Sequence, residues 1–298
     1  EWGVNNIDGN PYFCDPDSGD YTLGDNSPCV GTGENGANMG AFEVGCNVYA
    51  GPNWHVSTTG SDSNDGSENN PFATIQHGIE VANNGDTVLV SAGTYLENIR
   101  WPETPDISLI GEGREMTIID GNGADRVIWI EPFTAGEFYS YGNTRIQQLT
   151  IQNGNSPWVG GILSKYNSDS LFLDDLNILN NAGNAALYFY GSNYVSLNNV
   201  LMEENRSWNY HGLAIYSRSC NLTLNNTTIT NNDKGIFVWN GSPSFTATTL
   251  IRNSIIWGNY DGDSVMTTIV FNDSYPLIAD IDYSLMEGGM GGLSIGTA

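Results

Sequence analysis

A short motif of alternating apolar and polar residues recurs in the second half of this 298-residue chain. Its central apolar residue advances along the sequence in steps of 27, 24, 27 and 27 residues. A repeat of this length cannot bury its own apolar face, so its copies must stack on one another. The spacing therefore predicts a β-solenoid with one internal apolar column. The side chains expected in that column are Ile151, Ile178, Met202, Ile229 and Ile256.

An asparagine follows the motif in four of its copies, before a second short strand. Asparagine tolerates left-handed backbone, and its amide can bond to the coils above and below. We expect Asn181, Asn205, Asn232 and Asn259 to form an internal ladder at one bend. Upstream, the apolar spacing of residues 72–83 predicts one helix, placed where it would cap the open end of the solenoid.

Three runs near the start of this region form a distinctive pattern. They read WHVSTTGSDSNDG (54–66), NPFATIQ (70–76) and GDTVLVSAGTYLE (85–97). They resemble the start of secreted, pectin-lyase-like proteins, and the resemblance extends over about residues 54–285. It implies an all-β fold, a right-handed parallel β-helix (β-solenoid) with one N-terminal capping helix. It implies no particular activity, because that fold hosts lyases, hydrolases, epimerases, adhesins and structural proteins.

Residues 1–46 resemble the segment that usually closes such a β-helix, yet here they come first. We expect a closing or assembly segment (1–46), a linker (47–53), the cap helix with the first coil (54–99) and further parallel coils (100–298). Three explanations of the shifted order stay open. The chain is one unit of a tandem array, its first segment completes a neighbouring subunit, or that segment folds back on its own chain.

The shifted order favours an extracellular structural subunit that assembles head-to-tail with copies of itself into a filament or surface array. A last coil without a cap presents unpaired strand edges, which invite pairing with another chain. A head-to-tail contact is heterologous, so it builds a filament or ring. The residues expected at this interface are Trp2, Val4, Ile7, Tyr12 and Phe13 on one side and Ile281, Leu285 and Ile295 on the other.

The charge of the chain excludes several classes of partner. With 34 Asp+Glu against 9 Lys+Arg, the formal net charge is −25. Nucleic acids and anionic membrane surfaces both require a basic face, and no apolar run is long enough for membrane insertion. The net field would also oppose a polyanionic sugar such as pectate unless cations intervened.

The cysteines point to an oxidising compartment. Cys14 and Cys29 flank a turn-rich stretch, and we predict a disulfide between them. The pairing of Cys46 and Cys220 stays open. A disulfide together with the acidic composition indicates an extracellular or cell-surface location.

Catalytic constellations are not evident. A β-helix glycosidase needs two carboxylates that face one groove. Asp174-Asp175 is the acidic doublet of the coils and resembles part of the polygalacturonase pattern, but its companion Asn-Thr-Asp, Gly-His-Gly and Arg-Ile-Lys motifs are missing. We interpret the doublet as a solvated strand edge and predict no catalytic residues and no enzyme. A β-helix polysaccharide lyase or glycosidase is kept as an alternative.

Aromatic residues recur at outward positions of the second strands. A flat aromatic ridge can bind sugar rings, pack against a subunit or merely stabilise the sheet. A carbohydrate-binding adhesin with glycan partners is therefore a further alternative. Aligning the strands predicts one column of Lys165, Tyr190, Tyr216, Trp239 and Asn272 beside a second column of Tyr188 and Phe237.

Two weaker patterns concern cations and glycans. The sequence requires no cofactor. Two oxygen-rich turns nevertheless suit Ca²⁺, and the alternative to a Ca²⁺ site is that they are ordinary hydrogen-bonded turns. The candidate ligands are Asn259, Asp261 and Asp263 in one turn and Asp15, Asp17 and Asp20 in another. The N-x-[ST] glycosylation candidates are Asn205, Asn221, Asn225, Asn226, Asn240 and Asn272.

Overall fold

The computed structural model divides the chain into two compact units, Glu1–Gly51 and Pro52–Ala298. The boundary falls inside the predicted linker 47–53. The structure describes residues 7, 10–16, 19–25, 27–46, 51–132, 141–166, 169–206, 212–259, 268–272, 274–288 and 293–296.

The first unit contains a small sheet and one disulfide. Strand β1 (Phe13–Asp15) pairs antiparallel with β2 (Asp20–Gly24), and β2 pairs parallel with β3 (Val44–Cys46). A 3₁₀ turn covers Glu34–Gly36. Because β1 and β3 flank β2 at the same level, Cys14 bonds to Cys46, with a Cα–Cα distance of 5.9 Å. The predicted Cys14–Cys29 disulfide is wrong.

The two remaining cysteines are free thiols. Cys29 is half-buried in the first unit, and Cys220 is buried in the second. Burial raises the pKa of the Cys220 thiol to about 11, so it stays protonated at neutral pH.

The second unit is a parallel β-helix, and every pairing between its named strands is parallel. The strands are β4 (Asn53–Val56), β5 (Thr87–Val90), β6 (Gly93–Leu96), β7 (Ile99–Arg100), β8 (Ser108–Gly111), β9 (Thr117–Asp120), β10 (Ile128–Ile130), β11 (Asn143–Gln152), β12 (Val159–Lys165), β13 (Ser170–Leu179), β14 (Ala185–Tyr190), β15 (Tyr194–Asn198), β16 (Leu201–Glu203), β17 (Leu213–Arg218), β18 (Asn221–Asn225), β19 (Thr228–Thr230), β20 (Lys234–Trp239), β21 (Ala247–Arg252), β22 (Ile255–Trp257), β23 (Ile269–Asn272), β24 (Leu277–Asp282), β25 (Leu285–Met286) and β26 (Leu293–Gly296). One sheet has eight strands in the order β26-β23-β20-β17-β14-β12-β10-β7, and a larger sheet has fifteen.

The predicted helix is shorter than expected, because α1 covers Ile75–Val81. The Thr74 hydroxyl caps it by accepting from the backbone N–H of His77 at 3.2 Å. The Glu97 carboxylate accepts from the N–H groups of Ile75 and Gln76 at 2.8 and 2.9 Å. The helix buries Ile75 fully and contacts β4, β5 and β7, so it caps the first coils.

The internal apolar column is confirmed. Neighbouring coils pair in the register that the repeat predicts, and each side chain is fully buried. The column consists of Ile151, Ile178, Met202, Ile229 and Ile256.

Left-handed residues turn the chain between strands. In the coil built from β15, β16 and β17, Asn199 and Glu204 each have a φ of 56°. The next coil repeats the pattern with Asn226 at 49° and Asn231 at 54°. Asparagine is favoured there because its short polar side chain tolerates this conformation.

The asparagine ladder is also confirmed. The Asn205 side-chain oxygen accepts from the backbone N–H of Asn181 at 3.0 Å and from its amide at 3.2 Å. Asn232 accepts from Asn205 in the same way at 3.1 and 2.7 Å, and Asn259 accepts from Asn232 at 3.1 and 2.9 Å. The ladder therefore ties four successive coils together inside the protein.

Apolar side chains of the last coil are more exposed than those of the coil before it. Ile251 is fully buried on β21, whereas its partner Ile281 on β24 is partly exposed. Ile278 and Leu285 each expose 54% of their surface, and Tyr283 exposes 82%. This end of the β-helix thus presents apolar surface to solvent.

Candidate functional site

Two columns of side chains run along the outer face of the eight-stranded sheet. The register aligns Tyr188 of β14 with Tyr216 of β17 and with Phe237 of β20. The second column holds Tyr190, Arg218 and Trp239 on the same three strands. We call these six residues the aromatic–arginine face. The structure thus aligns Tyr188 with Phe237 and Tyr190 with Trp239 as the sequence predicts, but Tyr216 lies in the first column and its predicted place in the second is taken by Arg218, which was missed.

The alignment error has a clear cause in the sequence. Matching Gly212 with Ala186 shifts β17 by two residues, which keeps every side chain on the predicted side of the sheet. The run Ala214-Ile-Tyr-Ser-Arg218 matches Ala186-Leu-Tyr-Phe-Tyr190 with the observed register. That comparison was the available signal for Arg218.

The first column is a chain of edge-to-face rings. The ring centroids of Tyr188 and Tyr216 lie 4.9 Å apart at 78°, and those of Tyr216 and Phe237 lie 5.2 Å apart at 78°. This is a favoured aromatic geometry. Burial raises the pKa of Tyr188 to about 12, although the nearby Arg218 guanidinium opposes the shift. The phenol therefore stays neutral at physiological pH.

The second column holds a guanidinium between two rings. The Arg218 guanidinium carbon lies 4.4 Å from the ring centroid of Tyr190 and 4.2 Å from that of Trp239. Such contacts stabilise each cation–ring pair by about 0.5–2 kcal/mol. The Nε atom of Arg218 is buried and has no hydrogen-bond partner.

Two pockets adjoin Arg218. One, of about 270 Å³, is mostly aromatic. The other, of about 350 Å³, is bounded by a polar loop that follows β20. Arg218 lines both, so it stands at their common wall. The first is lined by Trp158, Asn184, Tyr188, Leu213, Tyr216, Arg218 and Phe237, and the second by Tyr190, Gly191, Asn193, Arg218, Ser219, Gly241, Ser242, Pro243 and Phe245.

Both carboxylates of the acidic doublet, interpreted above as a solvated strand edge, have an arginine partner, and Asp175 keeps 39% of its side-chain surface exposed. Asp174 lies 2.6 Å from Arg145, and Asp175 lies 3.6 Å from Arg114. Burial raises the pKa of Asp174, while Arg145 opposes the shift. Each carboxylate faces a different arginine: Arg145 lies on β11 of the larger sheet, and Arg114 lies in the turn between β8 and β9. The doublet on β13 is therefore away from the aromatic–arginine face.

The candidate cation ligands are engaged elsewhere or not described. The Asn259 oxygen accepts from Asn232 inside the ladder, so Asn259 is unsuited to a surface cation site. Asp20 accepts from the N–H and hydroxyl of Thr22 at 3.0 and 2.6 Å, which is a hydrogen-bonded turn. Asp17, Asp261 and Asp263 lie outside the described residues, as does the side chain of Asp15. Within the described ranges, no cluster of three His, Cys, Asp or Glu side chains is arranged to hold a metal.

Two glycosylation candidates are wrong. Asn205 is 1% exposed and belongs to the ladder. Asn240 is fully buried, and its amide donates to the carbonyls of Phe245 and Pro276 at 2.7 Å each. Their amides are inaccessible in the folded protein. The other candidates stay predictions: Asn221, Asn225, Asn226 and Asn272.

The predicted interface residues are partly described. Ile7 and Phe13 of the first unit expose 37% and 38% of their surface, and Tyr12 is partly exposed. Ile281 and Leu285 lie on the last coil. Trp2 and Val4 lie outside the described residues, and so does the side chain of Ile295.

Comparison with known proteins identifies the family. Residues 68–256, more than half of the chain, match the right handed beta helix region, and the chain belongs to this family. The fold is therefore the predicted right-handed parallel β-helix. A comparison with curated proteins finds no match.

Several solved structures are similar to this chain at low identity. Pectin methylesterase PemA from Erwinia chrysanthemi is 14% identical with a TM-score of 0.40, over 76% of this chain and 80% of that one. Pectin methylesterase from carrot is 13% identical with a TM-score of 0.40, over 85% and 90%. XylC in complex with xylose is 11% identical with a TM-score of 0.36, over 76% and 69%. These likenesses concern the fold alone.

No helix within the described parts of the chain has the length and apolar character needed to span a membrane.

Proposed function

We propose that this protein binds carbohydrate on its aromatic–arginine face. The observation that carries the proposal is the row of rings on three successive coils, beside two pockets. Flat rings pack against the apolar faces of sugars, while a few polar groups at the pocket wall fix orientation. Coils stack about 4.8 Å apart, which is close to the length of one sugar residue. A glycan chain that runs along the β-helix would therefore meet one ring per sugar, with each ring of the first column turned by 78° relative to the next.

The disulfide Cys14–Cys46 supports an extracellular setting for this activity, because disulfides form and persist in oxidising compartments. Extracellular glycans would then be the natural ligands.

Trp239→Ala is expected to weaken binding of a neutral oligosaccharide about 10-fold, because the variant removes one stacking surface and one side of the Arg218 clamp. Titration calorimetry, after a glycan array has named a ligand, measures the change. Trp257→Ala is the matched control, since Trp257 is 47% exposed on the larger sheet. Equal affinities for wild type and Trp239→Ala would contradict the proposal.

A second candidate function is head-to-tail assembly, favoured by the apolar side chains that β24 and β25 expose. Strand β24 forms the end of its sheet among the described strands, and the nearby Ile278 and Leu285 expose apolar surface. Edge strands of this kind accept a strand from another chain. The proposed occupant is residues 1–46 of a second copy, which expose Phe13, Tyr21 and Phe42.

The double variant Ile278→Asp/Leu285→Asp is expected to convert wild-type oligomers to monomers, because two charges would have to be buried at the contact. Sedimentation velocity over a concentration series measures the change. The control Leu96→Asp alters a side chain that is 66% exposed near the opposite end. A wild-type chain that stays monomeric at every concentration would exclude this function.

The proposed role is binding without turnover. We expect wild type to release no product from pectate, alginate or neutral glycans in the presence of Ca²⁺, because Asp174 and Asp175 each face an arginine instead of sharing one groove. Reducing-end and unsaturated-product assays test this. If turnover appeared and were lost in Asp174→Asn, the lyase or glycosidase alternative would replace the binding role.

A further inference from the structure

Arg218 differs in its partners from five of the other arginines of this chain. Five arginines form ion pairs with a carboxylate at 4.0 Å or less. Arg218 forms no ion pair with any carboxylate of the described residues, although acidic residues outnumber basic ones by 34 to 9. The ion-paired arginines are Arg114, Arg126, Arg145, Arg206 and Arg252.

The surroundings of Arg218 fix its orientation. The rings of Tyr190 and Trp239 hold the guanidinium at 4.4 and 4.2 Å, and the side chain lines both pockets. A planar guanidinium clamped in this way has little freedom to lose on binding, and its fork of N–H groups matches a carboxylate. Polar groups of Ser219 and Ser242 line the second pocket and can accept or donate to neighbouring hydroxyls.

The charge of the whole protein limits which anion can reach this site. A net charge of −25 repels a polyanion, and the single positive charge of Arg218 offsets only a small part of that repulsion. At about 0.15 M ionic strength the repulsion extends roughly 8 Å, so it acts on charges beyond the contact. A ligand with one anionic group gains the short contact and suffers little of the repulsion.

We propose that the aromatic–arginine face selects a glycan that carries one isolated acidic sugar within an otherwise neutral chain, with its carboxylate bound by Arg218. This inference rests on the proposed carbohydrate binding. The neutral sugars stack on the first column, which consists of Tyr188, Tyr216 and Phe237. The acidic sugar lies beside Arg218, between the two pockets.

Three oligosaccharides of equal length test the inference on the full chain. One is neutral, one carries a single uronic acid, and one consists of uronic acids throughout. We expect the singly acidic ligand to bind about 10-fold tighter than the neutral one, because hydrogen bonds to charged groups stabilise more than neutral ones. The polyuronate should bind weakly at low salt and gain affinity as salt rises.

Arg218→Met keeps an apolar stem and removes the charge. We expect it to lose the 10-fold preference, whereas Arg218→Lys keeps part of it. The control Arg206→Met removes an arginine that is paired with Asp233 at 3.3 Å, and it should keep the full preference. Thermal unfolding of each variant establishes that the fold is intact.

The outcomes separate this inference from the proposed function. If the neutral and singly acidic ligands bind equally, and Trp239→Ala weakens both, carbohydrate binding stands and the selection of an acidic sugar is wrong. A preference that survives in Arg218→Met, or a polyuronate that binds best at low salt, also overturns the inference. If no glycan binds at all, both proposals fall.

Discussion

Replacing Asn232 by alanine is expected to lower the free energy of unfolding by about 3–5 kcal/mol. The Asn232 side-chain oxygen accepts from the backbone N–H and the amide of Asn205 at 3.1 and 2.7 Å. Its amide donates to the Met202 carbonyl at 3.0 Å and to the Asn259 oxygen at 2.9 Å. Alanine removes one partner from each of these four groups. The Asn259 oxygen keeps the backbone N–H of residue 232, and the Asn205 amide keeps the Ile178 carbonyl, whereas the Asn205 backbone N–H loses the Asn232 oxygen as acceptor. Each buried group left unsatisfied costs about 1–3 kcal/mol before the structure relaxes.

Urea unfolding followed by circular dichroism measures the loss. The control is Asn143→Ala, because Asn143 is exposed and its amide makes one hydrogen bond of 3.3 Å to Asp106. That control should change stability by less than about 1 kcal/mol. Similar losses in the two variants would show that the ladder adds no more stability than a surface contact.

The sequence predicts the interior of this protein better than its surface. Ile178 and Asn205 repeat at intervals that the stacked coils require, so period alone places them in the column and the ladder. Apolar spacing within residues 72–83 likewise predicts the cap helix, although Thr74 and Glu97 cap a helix that begins at Ile75, within one turn of the expected start. Features that depend on regular stacking are therefore available from the sequence.

Features that depend on contacts outside the repeat cannot be predicted from the sequence in this way. The bond between Cys14 and Cys46 arises from a three-stranded sheet that no local turn pattern reveals. A disulfide between Cys14 and Cys29 is equally compatible with the loop-closure entropy. Burial of Asn205 and Asn240 removes two glycosylation motifs, because a motif of three residues carries no information on depth.

The candidate site shows the same division. The alternation of strand residues predicts which side chains face outward, and this placed Tyr188, Tyr190 and Trp239 correctly on one face. A two-residue slip of β17 preserves that alternation, so alternation alone does not distinguish Tyr216 from Arg218 in the second column, and only the match of residues 214–218 with 186–190 does so. The absence of a carboxylate beside Arg218 among the described residues is a property of the folded surface and became visible only there.

Glycine at position 154 explains where the asparagine ladder begins. Gly154 occupies the repeat position of Asn181, and its N–H donates to the Asn181 oxygen at 3.0 Å. A Cβ atom at this position would lie 1.8 Å from the Gly160 carbonyl oxygen. The crossing backbone therefore excludes any side chain from this rung.

Gly154→Ala is accordingly expected to destabilise the protein by about 3 kcal/mol or more, because a backbone carbonyl has to move out of a packed coil. The matched control is Gly241→Ala, where the nearest atom would lie 3.5 Å from the new Cβ and ordinary contact results. The control should be neutral within about 0.5 kcal/mol. Urea midpoints for both variants give the comparison. An unchanged midpoint for Gly154→Ala would mean that the chain around Gly160 shifts freely to admit a side chain. The close approach of Gly160 would then not be the reason why the ladder begins at Asn181.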